Sequence, residues 1–103
     1  MKKFAFISQP MKGKEYHQVK MEREALEIKL KKMGYEVINS FVSSLVPTDV
    51  KNGPLCCLGN ALIRMADADL VVFMKGWNHA RGCKLEHHAA KAYGLNIAYE
   101  RTL

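Results

Sequence analysis

Leu70-Val71-Val72-Phe73-Met74-Lys75-Gly76-Trp77-Asn78-His79-Ala80-Arg81-Gly82-Cys83-Lys84-Leu85-Glu86-His87-His88-Ala89-Ala90-Lys91-Ala92-Tyr93 is the stretch whose reading decides the fold. Leu70 to Met74 is apolar without alternation, the pattern of a strand buried on both faces of a parallel sheet. A loop containing Gly76 follows, and then a helix. The helix repeats small and apolar residues at Leu85, Ala89 and Ala92, with Ala90 and Tyr93 beside them. Its first turn is expected to carry one acid, Glu86. Steps of four and three from Glu86 reach Ala90 and Tyr93, so the carboxylate falls on the edge of the inward stripe and not on the solvent side. An acid near a helix N-terminus is stabilised as the anion by the helix dipole, which gives Glu86 a plain structural role. In a parallel α/β fold, the loop after a strand and the first turn of the next helix also lie at the carboxyl edge of the sheet, where ligands bind.

At 103 residues the chain is read as one domain, 1–103. A chain of this size buries roughly 60–70% of its unfolded surface in one core. No apolar stretch approaches the ~20 residues of a membrane span, so no membrane partner is expected. Met1 to Ile7 resembles a signal peptide only briefly. Gln9, Pro10, Lys12 and Lys14 end the run, which is read as a strand. Three cysteines, two of them adjacent at Cys56 and Cys57, fit no disulfide framework, and a reducing cytoplasm is expected. The net charge of +6 suits nucleic acid or small anionic substrates such as nucleotides. Much of the excess, Lys29, Lys31 and Lys32, lies near the end of the first helix, where cations complement the dipole. No basic run is interleaved with aromatic residues, so direct nucleic-acid binding is not expected.

In chain order, Lys3 to Ser8 is the first strand, apolar on both faces at Phe4, Ala5, Phe6 and Ile7. Pro10 and Gly13 make Ser8 to Lys14 a loop. The first helix is expected from Glu15 to Met33, with Val19, Leu26, Leu30 and Met33 inward, Ala25 beside them, and Gly34 as its stop. Tyr35 to Ile38 is the second strand. Asn39 to Gly53 is a long polar loop, a binding segment or a mobile one. Pro54 opens the second helix, with Leu55, Leu58, Leu62 and Met65 or Ala66 inward. Asp69 opens the third strand, and Asn96 to Tyr99 is the last. No repeat or low-complexity tract is present.

The alternation of strands and helices with short connections predicts an α/β fold: a three-layer, flavodoxin-like or Rossmann-like sandwich. Its four-stranded parallel sheet has the order 2-1-3-4, with three helices. The crevice then lies above the carboxyl ends of strands one and three, under Ser8 to Met11, the start of the loop after Ile38, and Gly76 to Glu86. Asp67 and Asp69 fall at the amino edge, where a helix-to-strand turn explains them.

Other groupings carry weaker chemistry. Cys83 and His87 are spaced i, i+4, with His79, His88, Cys56 and Cys57 elsewhere. No short paired spacing supplies the four convergent ligands that zinc needs, so no metal is expected. Cys83 is a nucleophile candidate if the helix start and His87 activate it, and otherwise a small core residue. Trp77 either stacks on a base or caps the core. Arg81 sits at the wrong helix end for a cation, which favours an anion nearby.

The motifs Ile7-Ser8-Gln9-Pro10-Met11, Glu22-Arg23, Gly76-Trp77, Ala80-Arg81-Gly82-Cys83, Glu86, Ala89 or Ala90, and Tyr93-Gly94 run through nearly the whole chain. Together they resemble the small nucleoside 2-deoxyribosyltransferase-like proteins, and most of all their uncharacterised phage and gut-bacterial branch, the DUF4406-type domain. The resemblance implies a flavodoxin-like fold and a covalent deoxyribosyl intermediate on the helix glutamate, here Glu86. It implies phosphate binding around the same helix start by Arg81 and Gly82, with Ser8 and the adjacent loop. It also implies a homodimer or higher homo-oligomer, because characterised members complete the site with a neighbouring subunit, and the family's final strand and helix have no counterpart here. Two departures concern the chemistry. The position upstream of the glutamate that is aspartate in the transferases, and serine in related branches, is Ala80. The helix-two aspartate that serves the departing base aligns with Ala61. Asn60, Asn78 and His79 are the polar residues near enough in sequence to substitute.

The expected function is cleavage or exchange of the N-glycosidic bond of a deoxynucleoside or its 5′-monophosphate, without a cofactor. Glu86 is the nucleophile. Trp77 and Met11 contact the base, Ser8, Arg81 and Gly82 the sugar or phosphate, and Gln9, Asn60 and Asn78 complete the substrate-binding set. The alternative is a nucleotide-binding or sensor module without catalysis.

Overall fold

The computed structural model describes residues 2–38 and 49–103. The chain runs β1 Lys3–Ser8, α1 Tyr16–Lys32, β2 Tyr35–Val37, α2 Gly53–Met65, β3 Leu70–Phe73, a 3₁₀ turn Trp77–His79, α3 Arg81–Ala92, β4 Ile97–Tyr99 and a final 3₁₀ turn Glu100–Thr102. The sheet order is β2-β1-β3-β4 with every pair parallel, as the sequence predicts. Element ends agree with the sequence reading to within a residue or two. Of the long loop expected at Asn39 to Gly53, Asn39 to Thr48, with Ser40, Ser43, Ser44 and Pro47, lie outside the described residues.

Strand alternation builds the two faces of the core. Ala5, Ile7, Leu70, Val72 and Met74 point one way and pack with Leu26 and Leu30 of α1. Phe6, Val71 and Phe73 point the other way and pack with Ala61 and Met65 of α2 and Ala90 of α3. Side chains alternate across a strand, so a central parallel strand must be apolar at every position. That requirement explains the unbroken runs in β1 and β3. Gly34, with φ +98°, ends α1 in a left-handed conformation that suits glycine. Asn52 caps α2, its Oδ1 accepting a hydrogen bond from the Leu55 amide at 3.0 Å.

The helix faces differ from the sequence expectation. On α3 the buried residues are Cys83 and Ala90, while Leu85 is 48% exposed and Tyr93 84% exposed. Ala89 is half-buried and Ala92 exposed. On α2 they are Ala61 and Met65, while Leu55 and Leu62 are exposed. Leu58 is half-buried and Ala66 is exposed. On α1 the inward stripe is Val19, Arg23, Leu26 and Leu30; Met33 and Ala25 are outside it. Both α2 and α3 are apolar over a wide arc, and periodicity cannot choose between neighbouring stripes within such an arc. Small residues at Ala61, Cys83 and Ala90 let the helix backbones approach the sheet, which turns the adjacent leucines outward.

At the amino edge, the Phe4 amide donates to Asp69 Oδ2 at 2.7 Å, and Asn96 Nδ2 donates to the Asp69 carbonyl at 3.2 Å. Asp69 therefore holds the turn into β3. On α2, Met65→Ala is expected to cost about 2–5 kcal/mol, as for other deeply buried large-to-small changes. Ile63→Ala, on the exposed side, is expected to stay within about 0.5 kcal/mol. Urea unfolding of the two variants checks which face of α2 meets the sheet.

Candidate functional site

Four segments converge at the carboxyl edge of the sheet. β1 ends at Ser8 and continues through Gln9 to Lys12. β3 ends at Phe73 and continues through Lys75 and Gly76. α2 and α3 begin on the same side. Between them lies an open hollow of about 1050 Å³. In a sheet of this order, the chain leaves β1 toward one face and β3 toward the other, so the edge opens between them. Gly76, with φ +90°, turns the backbone out of β3 into the 3₁₀ turn that precedes α3.

Glu86 is on the wall of the hollow. It shares the inward side of α3 with Cys83 and Ala90, at the spacing of one helix face. Ser8, buried at 1% exposure, donates from Oγ to Glu86 Oε1 at 2.6 Å. Burial raises the pKa of Glu86 above the ordinary carboxylate range, and the Ser8 hydrogen bond pulls in the opposite direction without cancelling it. The helix begins at Arg81, so Glu86 lies in the second turn and not the first, and the first turn holds no acid. The helix dipole acts chiefly within the first turn, which is why desolvation prevails here.

Burial also pushes the Cys83 thiol up to about 11, with the nearby Ser8 hydroxyl lowering it and the Glu86 charge raising it further. A buried thiol beside a carboxylate stays protonated, so the activated-thiolate option for Cys83 falls away. His87 cannot assist it. The His87 ring stacks on Trp77 with centroids 4.0 Å apart, and its Nε2 lies 2.8 Å from the Tyr99 hydroxyl. Burial lowers the pKa of His87, and the Lys91 charge adds to this. Among the described residues, no group of three or more His, Cys, Asp or Glu side chains is placed to hold a metal ion.

The hollow gathers Gln9, Met11, Arg81, Gly82 and Glu86 on its wall, with Ser8 behind Glu86. Asn60, Trp77 and Asn78 are not on that wall. Trp77 instead packs with Phe73, His87 and Tyr99 under β3 and β4, because an apolar indole gains more from that cluster than from an open rim. That packing is the core-cap role expected for Trp77. Gln9 Nε2 donates to the Val19 carbonyl at 2.8 Å, while its Oε1 is buried and accepts no hydrogen bond among the described residues.

Sequence reasoning missed Arg23 as a site residue. It is 5% exposed, lines the hollow, donates from Nη2 to the Ile38 carbonyl at 3.4 Å, and lies 3.9 Å from Glu27. Burial lowers its pKa and Glu27 offsets part of that; guanidinium nevertheless stays charged at neutral pH. The available signal was a cation at stripe spacing between Val19 and Leu26. Lys12, Lys14, Lys75, Arg81 and Lys84 also line the hollow, against one carboxylate, Glu86, among the described residues. Lys14 is paired with Glu22 at 3.2 Å. The α3 N-terminus carries no side-chain cap, so its first amides face the same region unpaired by a side chain. The wall sets several cations and an uncapped helix start beside a half-buried carboxylate.

A parallel sheet of order 2-1-3-4 between two helical layers, with a half-buried acid at its switch point, defines a flavodoxin-like α/β protein with a small-molecule-sized hollow. The chain belongs to the DUF4406 family, a domain of unknown function, whose model matches residues 3–99. No curated protein and no solved structure matches it.

The raised pKa of Glu86 has a consequence for stability. The folded state binds the proton more tightly than the unfolded state. The stability tied to protonated Glu86 is therefore fully present below the unfolded carboxylate pKa, about 4.3, and is lost as pH rises through the folded value. Glu86→Gln removes that loss and keeps an acceptor for Ser8. Denaturant unfolding is expected to show wild type and variant alike near pH 4, with the variant more stable at pH 8.

Proposed function

We propose that the protein breaks the N-glycosidic bond of a deoxynucleoside or deoxynucleoside 5′-monophosphate, by hydrolysis or by transfer to a second base, through a covalent intermediate on Glu86. The observation that carries this reading is a half-buried carboxylate, tethered by Ser8, opening into a hollow whose other charged side chains, among the described residues, are cations. The resemblance to nucleoside 2-deoxyribosyltransferase-like proteins supports the reaction class.

Ser8 occupies Oε1, which leaves Oε2 for attack on the anomeric carbon. As the C1′–Oε2 bond forms, the C1′–N bond breaks and its electron pair leaves on the base, which takes up a proton. Water or a second base then attacks C1′ and releases the carboxylate. A carboxylate nucleophile divides one hard displacement into two easier ones. The reactive form is the anion, so burial confines activity to pH above the raised Glu86 pKa, and the Ser8 hydrogen bond moves that limit downward. The uncapped start of α3, with Arg81 and Lys84, supports binding of a 5′-phosphate, since helix amides and cations act together there.

Binding without turnover is the second reading. It is favoured by Ala61 and Ala80 on the hollow wall, where the transferases carry polar groups. A homo-oligomer belongs to either reading; exposed Leu55 and Leu62 on α2 and Leu85 and Tyr93 on α3 support it.

The test is release of free base from a panel of deoxynucleosides and their 5′-monophosphates, with and without an acceptor base. Wild type is expected to release base, and Glu86→Gln to bind equally while losing activity by several orders of magnitude. Binding by wild type without any base release leaves the second reading standing. Ser8→Ala removes a contact that lowers the Glu86 pKa, so the acid limb of the pH–rate profile is expected at higher pH than in wild type. Cationic lining implies that affinity for the monophosphate falls as salt rises, while affinity for the uncharged nucleoside barely changes; titration at two ionic strengths measures this.

A further inference from the structure

Departure of a neutral base needs a proton as well as a nucleophile, because the electron pair of the broken C1′–N bond would otherwise leave as a high-energy anion. The transferase aspartate that serves this step aligns with Ala61, which is buried on α2. Of the polar residues near enough in sequence to replace it, Asn60 and Asn78 are off the hollow wall and His79 is on it. The remaining titratable groups on that wall are poor donors. Glu86 is the nucleophile, the Cys83 thiol is held up at about 11, the Cys57 thiol is by nature a weak hydrogen-bond donor, and the rest are lysines and arginines. Residues 39–48 contain no histidine, cysteine, acid or basic residue at all. Asp49 and Lys51, just beyond them, are exposed and do not line the hollow. Imidazole is the side chain that exchanges protons most readily near neutral pH.

The local structure holds His79 in place from behind. Gly76 turns the chain, the Trp77 amide donates to the Met74 carbonyl at 3.1 Å, and the His79 amide donates to the Gly76 carbonyl at 3.0 Å. Trp77 is anchored among Phe73, His87 and Tyr99. The His79 side chain itself is exposed and carries none of this packing. An exposed side chain on a fixed backbone at the mouth of a hollow has freedom to meet a ligand and no structural duty to perform.

We infer that His79 is the general acid that protonates the departing base. This rests on Glu86 acting as the nucleophile. Imidazolium gives its proton to a ring nitrogen of the base as the C1′–N bond breaks, and the base leaves neutral. In the second half-reaction the imidazole takes a proton from the water that attacks C1′, which restores imidazolium and frees the Glu86 carboxylate. Nucleoside and water become base and sugar, with no other reactant.

The experiment compares two leaving groups in wild type, His79→Gln and Glu86→Gln. One substrate is a 2′-deoxynucleoside 5′-monophosphate with an ordinary purine. The other is its N7-methylated counterpart, whose base already carries a positive charge and departs neutral without a proton. His79→Gln is expected to lose about 10²–10⁴-fold on the ordinary purine and under about tenfold on the methylated one. A structural defect would lower both alike, and an equal loss on both, or no loss on either, overturns the assignment while leaving Glu86 intact. Loss of both substrates in Glu86→Gln alone supports the nucleophile. If wild type releases base from neither, the N-glycosidic reading fails and the role of His79 fails with it. If wild type turns over only the ordinary purine, rescue of His79→Ala by added imidazole decides the matter, and the absence of rescue overturns the proposal.

Discussion

The parallel pairing of β1 with β3 is the constraint on which the rest of the molecule depends. Its register runs from Ala5 opposite Leu70 to Ser8 opposite Phe73. The two strands therefore end level, and the loops that leave them diverge toward opposite faces of the sheet. A hollow at that divergence follows from topology alone. The register also sets Ser8, the last residue of β1, within hydrogen-bond reach of a side chain on α3. Slipping the strand by one residue would turn Ser8 to the other face and bring an apolar neighbour against Glu86.

A single carboxylate among cations is an uneven arrangement. Lysines and arginines around the hollow raise the local concentration of anions. Glu86 is an anion itself, and the charges around it would be expected to ease its ionisation. Burial outweighs them, because removing a carboxylate from water costs more than exposed lysines return across solvent. Ser8 makes up part of the deficit through one short hydrogen bond that favours the charged form. A carboxylate held in this way is a stronger nucleophile once ionised than one bathed in water, and the same burial that weakens its ionisation keeps it poorly solvated.

The aromatic group beneath β3 and β4 explains why the chain between strand and helix is well placed. Phe73, Trp77, His87 and Tyr99 come from β3, the 3₁₀ turn, α3 and β4, so their packing ties together the elements that frame one side of the hollow. His87 is next to Glu86 in sequence, and the helix turns it about 100° further round, onto the aromatic rings of Phe73 and Trp77. One residue faces the hollow and its neighbour faces the anchor, which couples the position of the acid to the packing of the sheet.

Sequence alone determined the strands, their order and the edge on which the hollow lies. Unbroken apolar runs can be buried only in the middle of a parallel sheet, and short connections permit few topologies. The glycine that ends α1 and the inward placement of Glu86 were likewise legible, since both rest on local backbone preference and on helical spacing. Which helix stripe meets the sheet was not. Leu85, Leu62 and Leu55 look more inward than Cys83, Ala61 and Ala90 by hydropathy, but close approach of helix to sheet selects the smaller residues. The surroundings of Trp77 and Arg23 were not legible for a related reason. An indole beside a glycine loop and an arginine inside an apolar stripe each have two partners available, and only the folded chain decides between them. The choice among Asn60, Asn78 and His79 was also open in one dimension, because proximity in sequence carries no direction. The turn at Gly76 and the anchoring of Trp77 supply that direction, and tertiary packing alone sets which side chain reaches the wall.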